Sequence, residues 1–86
     1  MSEVLGTISF AAAGTRTFAI PTGGRIKGIY SPTAAVSISW IFNDTTAKLV
    51  DNVTEWEPTW PLEPAATSYL EIVATAATEV AIRYEI

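Results

Sequence analysis

The side chains that most often do chemistry are missing from this chain. It has no histidine and no cysteine, which removes the usual partners of a nucleophilic serine and the usual soft metal ligands. Lys27 and Lys48 remain as bases, but neither stands in a context that activates a serine. Carboxylates are the other resource. Glu55, Glu57 and Glu63 surround Trp56 and Trp60, and paired acids beside aromatic rings suit either glycoside hydrolysis or sugar binding. A chain of 86 residues leaves little room for a substrate cleft. The Asp-x-Asp-x-Asp-Gly spacing of a calcium loop is also missing. The expectation is therefore a protein that is not an enzyme, with no cofactor and no metal.

The most unusual stretch is Glu55-Trp56-Glu57-Pro58-Thr59-Trp60-Pro61-Leu62. Proline fixes φ and removes a backbone donor, so Pro58, Pro61 and Pro64 exclude a central strand or a helix interior here. Two indoles on a stiffened loop have three uses. They cap the domain's own core, dock on a neighbouring subunit, or form a platform for sugar or peptide. Glu55, Trp56, Glu57, Pro58, Trp60, Pro61 and Leu62 are the candidate contact residues for all three. Free exposure of Trp56, Trp60 and Leu62 is the least favourable arrangement.

The elements that must position this loop are strands. The period of apolar residues is two rather than 3.6. Val4, Gly6, Ile8 and Phe10 alternate with Leu5, Thr7 and Ser9, and Ala11–Gly14 is read as a hairpin turn. Thr15–Ile20 returns with Arg16, Phe18 and Ile20 on one face. Pro21-Thr22-Gly23-Gly24 is a turn, and Arg25–Tyr30 follows with Ile26, Gly28 and Tyr30 sharing a face. Val36, Ile38, Trp40 and Phe42 form the clearest half-buried face, so Trp40 is assigned to the core. Ala47–Val50 is a short strand, and a short edge strand is expected near Thr54–Trp56. Tyr69–Ala74 and Thr78–Ile86 are read as a second hairpin, with Val80, Ile82, Tyr84 and Ile86 inward. Seven or eight short strands at this spacing predict an all-β fold in one domain over 1–86. A small antiparallel β-sandwich is favoured, with the jelly roll as its candidate type.

Composition agrees with strands and narrows the partners. Thirteen Ala and twelve Thr accompany Val, Ile, Tyr, Phe and Trp, a mix suited to pleated surfaces. A net charge of −4 disfavours nucleic acid. The charge is uneven, with net +2 over 1–42 and net −6 over 43–86. Opposite charges on opposite faces would help copies associate; solvating charges are the plainer reading. No stretch approaches the ~20 apolar residues of a membrane helix. Met1-Ser2-Glu3 does not open a signal peptide, so synthesis in a cytoplasm is expected. Asn43-Asp44-Thr45 and Asn52-Val53-Thr54 are then chance matches to the glycosylation pattern. A small domain without disulfides has a thin stability margin, which makes subunit contacts its natural additional support.

In composition and strand layout the chain resembles the small all-β auxiliary proteins of tailed-bacteriophage heads, the capsid decoration or cement type. The resemblance rests on Gly14-Thr15-Arg16-Thr17-Phe18-Ala19-Ile20-Pro21 and Glu79-Val80-Ala81-Ile82-Arg83-Tyr84-Glu85-Ile86. It implies a virion protein in a homo-oligomer, with a trimer favoured, seated on the major capsid or another virion protein and bridging shell subunits. The alternative is a carbohydrate- or peptide-binding module, for example an adhesion piece of a virion. An accessory subunit of a cellular enzyme is a third class without specific support.

Overall fold

The structure, a computed structural model, describes residues 3–19, 24–42, 45–58 and 68–86. The strands are β1 Glu3–Phe10, β2 Gly14–Phe18, β3 Arg25–Tyr30, β4 Val36–Phe42, β5 Thr45–Val53, β6 Glu55–Trp56, β7 Ser68–Ala74 and β8 Thr78–Glu85. They form two four-stranded antiparallel sheets, ordered β1-β8-β3-β6 and β2-β7-β4-β5. First pairs with last, second with seventh, third with sixth and fourth with fifth. A single antiparallel ribbon rolled across two sheets produces this order, which is that of a jelly roll.

The two hairpins expected from the sequence are not hairpins. β1 and β2 lie in different sheets, as do β7 and β8. The bends at 11–13 and 75–77 face each other between the pairs Phe10↔Thr78 and Gly14↔Ala74. One register runs through both bends, from Glu3↔Glu85 to Phe18↔Leu70. A two-residue hairpin needs positive φ at its centre, commonly from Asn-Gly. Ala11-Ala12-Ala13 and Thr75-Ala76-Ala77 lack that chemistry. Their small side chains instead let the ribbon turn a corner from one sheet to the other.

The core fills the space between the sheets. Ile8, Phe10, Ile26, Ile29, Val80 and Ile82 come from one sheet, and Val36, Ile38, Leu70, Ile72 and Ala74 from the other. Each large aliphatic side chain buried this way contributes about 1.5–3 kcal/mol. Phe18 and Tyr84 meet edge to face at 5.6 Å. Gly6 makes room for this pair, because a Cβ there would lie 3.1 Å from the Phe18 ring. Trp40 packs against the cluster as expected, with its Nε1 buried and unpaired among the described residues.

Three strand faces depart from simple alternation. In β3 the register shifts between Ile26 and Gly28, so Ile26 and Ile29 point inward while Tyr30 is 51% exposed. The expected shared face of Ile26, Gly28 and Tyr30 is thus broken by a bulge, which moves every later side chain to the opposite face. Ile86 lies beyond β8 and is 53% exposed rather than inward. β5 spends nine residues against seven in β4, with register shifts on either side of Ile38. Asn52 takes up this slack at φ 50°, a conformation Asn tolerates better than most residues.

The charges of the two chain halves mix instead of segregating. β1 and β8 place Glu3 directly opposite Glu85, a repulsive arrangement. Arg83 Nε at 3.3 Å from Glu3 and Lys27 Nζ at 2.9 Å from Glu85 offset it. The Lys27 hydrogen bond holds the Glu85 carboxyl below its ordinary pKa. On β5 the Ser37 hydroxyl, then Lys48, does the same for Asp51. A carboxyl with a depressed folded pKa adds stability above its unfolded pKa and loses it as pH falls through the folded value. Replacing both, Asp51→Asn with Glu85→Gln, is expected to flatten the acid limb of a stability–pH profile from urea unfolding. Asp51 is exposed and Glu85 half-buried beside an exposed lysine, so the effect at neutral pH is small. An unchanged acid limb would show that neither pair matters.

Candidate functional site

The outer face of the β1-β8-β3-β6 sheet carries a trough of about 570 Å³. Its floor is made by small residues on the middle strands, Gly28 of β3 and Ala81 of β8. Leu5 of β1, 66% exposed, and Tyr30 of β3 stand beside them. Ala81 lies opposite both Thr7 and Tyr30, and Tyr30 opposite Glu55. Trp56, opposite Ile29, packs against the core and also edges the trough.

Arg83 is the electrostatic centre of this surface. It lies between Glu3 at 3.3 Å and Glu57 at 3.6 Å. Two carboxylates from opposite sides therefore hold one guanidinium over the floor. Glu57 reaches it by passing close to Gly28, whose absent Cβ would sit 3.5 Å from Glu57 Cγ and 3.7 Å from Arg83 Nη2.

No protein-family model matches the chain, and no curated protein or solved structure is significantly similar to it.

Of the residues singled out in the sequence, Glu55, Trp56 and Glu57 come together at the trough. Pro58 is half-buried just beyond them. Trp60, Pro61 and Leu62 lie outside the described residues. For Trp56 the core-capping reading holds in part, since it packs on the cluster while one side borders the trough. The sequence reading passed over Leu5, Tyr30 and Arg83. Leu5 had a visible signal, an apolar residue in the outward phase of β1. Tyr30 had none, because its face depends on the bulge.

The opposite outer face, on the β2-β7-β4-β5 sheet, is of another kind. Val73 and Tyr69 of β7 are exposed there, at 38% and 36%. Val73 sits between Thr15 and Ser37, and Tyr69 opposite Ile41. Glu71 lies between Thr17 and Ser39. Lys48 and Asp51 pair with each other at 3.4 Å. This face is rich in hydroxyls, and among the described residues Glu71 is its one charge outside the Lys48–Asp51 pair.

Proposed function

We propose that this protein is a non-enzymatic structural component of a viral particle, of the capsid decoration or cement type, working as a homo-oligomer. The carrying observation is the outer face of the β2-β7-β4-β5 sheet. Exposed Val73 and Tyr69, with Ile41 beside them, offer apolar area in a field of Ser and Thr that holds, among the described residues, one unpaired carboxylate, Glu71. Such a surface is desolvated cheaply against a shell protein or a second copy. The jelly-roll order supports the reading, since viral shells use this architecture, though lectins and enzymes use it as well. Each contact can be weak, because a particle presents many identical sites at once.

The test combines mass in solution by light scattering with imaging of particles that co-purify. The native protein is expected as an oligomer associated with a particle. Tyr69→Lys with Val73→Lys should leave circular dichroism and thermal unfolding close to native while reducing association about tenfold or more. A native protein that is monomeric and co-purifies with no particle overturns the proposal. So does a double variant that associates as well as the native chain.

A further inference from the structure

We infer that the trough over Gly28 and Ala81 is a binding site for an uncharged saccharide, a role beyond the contact face on the other sheet. The volume, about 570 Å³, falls within the roughly 300–1,000 Å³ of small-ligand sites. The nature of the lining selects the ligand class. The floor is flat because position 28 has no side chain and position 81 has one methyl. Tyr30, half exposed beside it, supplies an aromatic face for the C–H side of a sugar ring. Around these stand Arg83, Glu57 and Glu55, with Glu3 paired to Arg83 from outside the lining. A carboxylate accepts from sugar hydroxyls, and a guanidinium donates to their oxygens. Arg83 is held from both sides, so little conformational entropy is lost when it engages a ligand.

Other ligand classes fit less well. An anion would face Glu3, Glu55 and Glu57 against one arginine. A cation would face Arg83 at the centre. A peptide adding as a strand needs free backbone groups. The floor strands lie inside the sheet, with β8 between β1 and β3 and β3 between β8 and β6. A strand added to either edge, β1 or β6, would extend the sheet in its own plane, beside the floor and not over it. Uncharged hydroxyl-rich rings can pair with both the carboxylates and the guanidinium without adding a charge to the site.

The experiment is a glycan array carrying neutral and anionic oligosaccharides, probed with the intact protein, with array ligands then titrated in solution by NMR. Neutral oligosaccharides are expected to bind and to shift the Tyr30, Ala81 and Arg83 resonances. Gly28→Ala raises the floor without steric conflict, since its Cβ would make ordinary contacts at 3.5 Å or more. It should weaken binding about tenfold or more, as should Tyr30→Ser. Both variants should keep the native unfolding midpoint within a few degrees and retain particle association, which belongs to the other face. The inference is overturned if no neutral saccharide binds, if anionic glycans bind better, or if folded Gly28→Ala and Tyr30→Ser bind as the native protein does. Loss of particle association in Tyr69→Lys with Val73→Lys, with sugar binding intact, separates this site from the contact face.

Discussion

Ile82→Ala is expected to remove about 3 kcal/mol of stability. Ile82 is fully buried on β8, a strand inside its sheet, and stands opposite Gly6 on one side and Ile29 on the other. Gly6 has no side chain to fill the space left by the truncation, so the cavity persists. Large-to-small changes cost the lost transfer energy plus a term for the cavity that remains. A domain of 86 residues has a total stability of roughly 4–13 kcal/mol at 0.05–0.15 kcal/mol per residue. At the lower end of that range the variant keeps only about 1 kcal/mol and approaches the point where the native state is no longer dominant. In thermal melts the expected shift is about 12–24 °C, from 4–8 °C per kcal/mol in domains of this size. Leu5→Ala is the control, because Leu5 points outward on the same sheet and should change stability by no more than about 0.5 kcal/mol. Equal effects from the two variants would mean that the core is not between the sheets as described.

Strand positions were legible because inward and outward residues differ in kind. Val36, Ile38 and Trp40 against Ser37 and Ser39, or Val80 and Ile82 against Glu79 and Arg83, leave one way to face a core. Partner choice was not legible. Ala11–Ala13 and Thr75–Ala77 look locally like hairpin turns, and what makes them corners is the long-range pairing of β1 with β8 and β2 with β7. No local preference of the first strand points to the last. The candidate site was legible only where its residues are consecutive. Glu55, Trp56 and Glu57 stood out as a cluster, but Leu5, Gly28 and Arg83 reach the same trough from distant parts of the chain. Arg83 reads as an ordinary outward charge until Glu3 and Glu57 are seen on either side of it.

Ser31 is the second residue whose loss should be severe, although the sequence presents it as a turn residue before Pro32. It is fully buried. Its amide donates to the Thr54 carbonyl at 2.7 Å. Its hydroxyl donates to the Ala34 carbonyl at 2.5 Å and lies 2.8 Å from the Thr78 hydroxyl. A serine hydroxyl has one proton. With that proton on Ala34, the Thr78 hydroxyl must be the donor to Ser31 Oγ. The order of donation makes the two residues unequal. Ser31→Ala strips the Ala34 carbonyl of its donor and leaves the buried Thr78 O–H without an acceptor. Each unsatisfied buried group costs about 1–3 kcal/mol, so the variant should lose about 2–3 kcal/mol. Thr78→Val leaves the Ser31 to Ala34 bond in place and should cost about 1 kcal/mol. In the double variant the stranded Thr78 donor is gone, so the loss should fall short of the sum of the singles by about 1 kcal/mol, a coupling within the range for hydrogen-bonded neighbours. Urea unfolding of the four proteins measures it. Additivity within about 0.3 kcal/mol would remove the argument. The physical stake is the corner itself. Ser31 joins the end of β3 to the start of β8 and to the residue between β5 and β6, while Thr75 donates from its amide and hydroxyl to Ala35 at 3.2 and 3.0 Å. These bonds tie the β3–β4 link to the bend where the ribbon changes sheets. Losing them loosens the point at which both faces of the sandwich are set against each other.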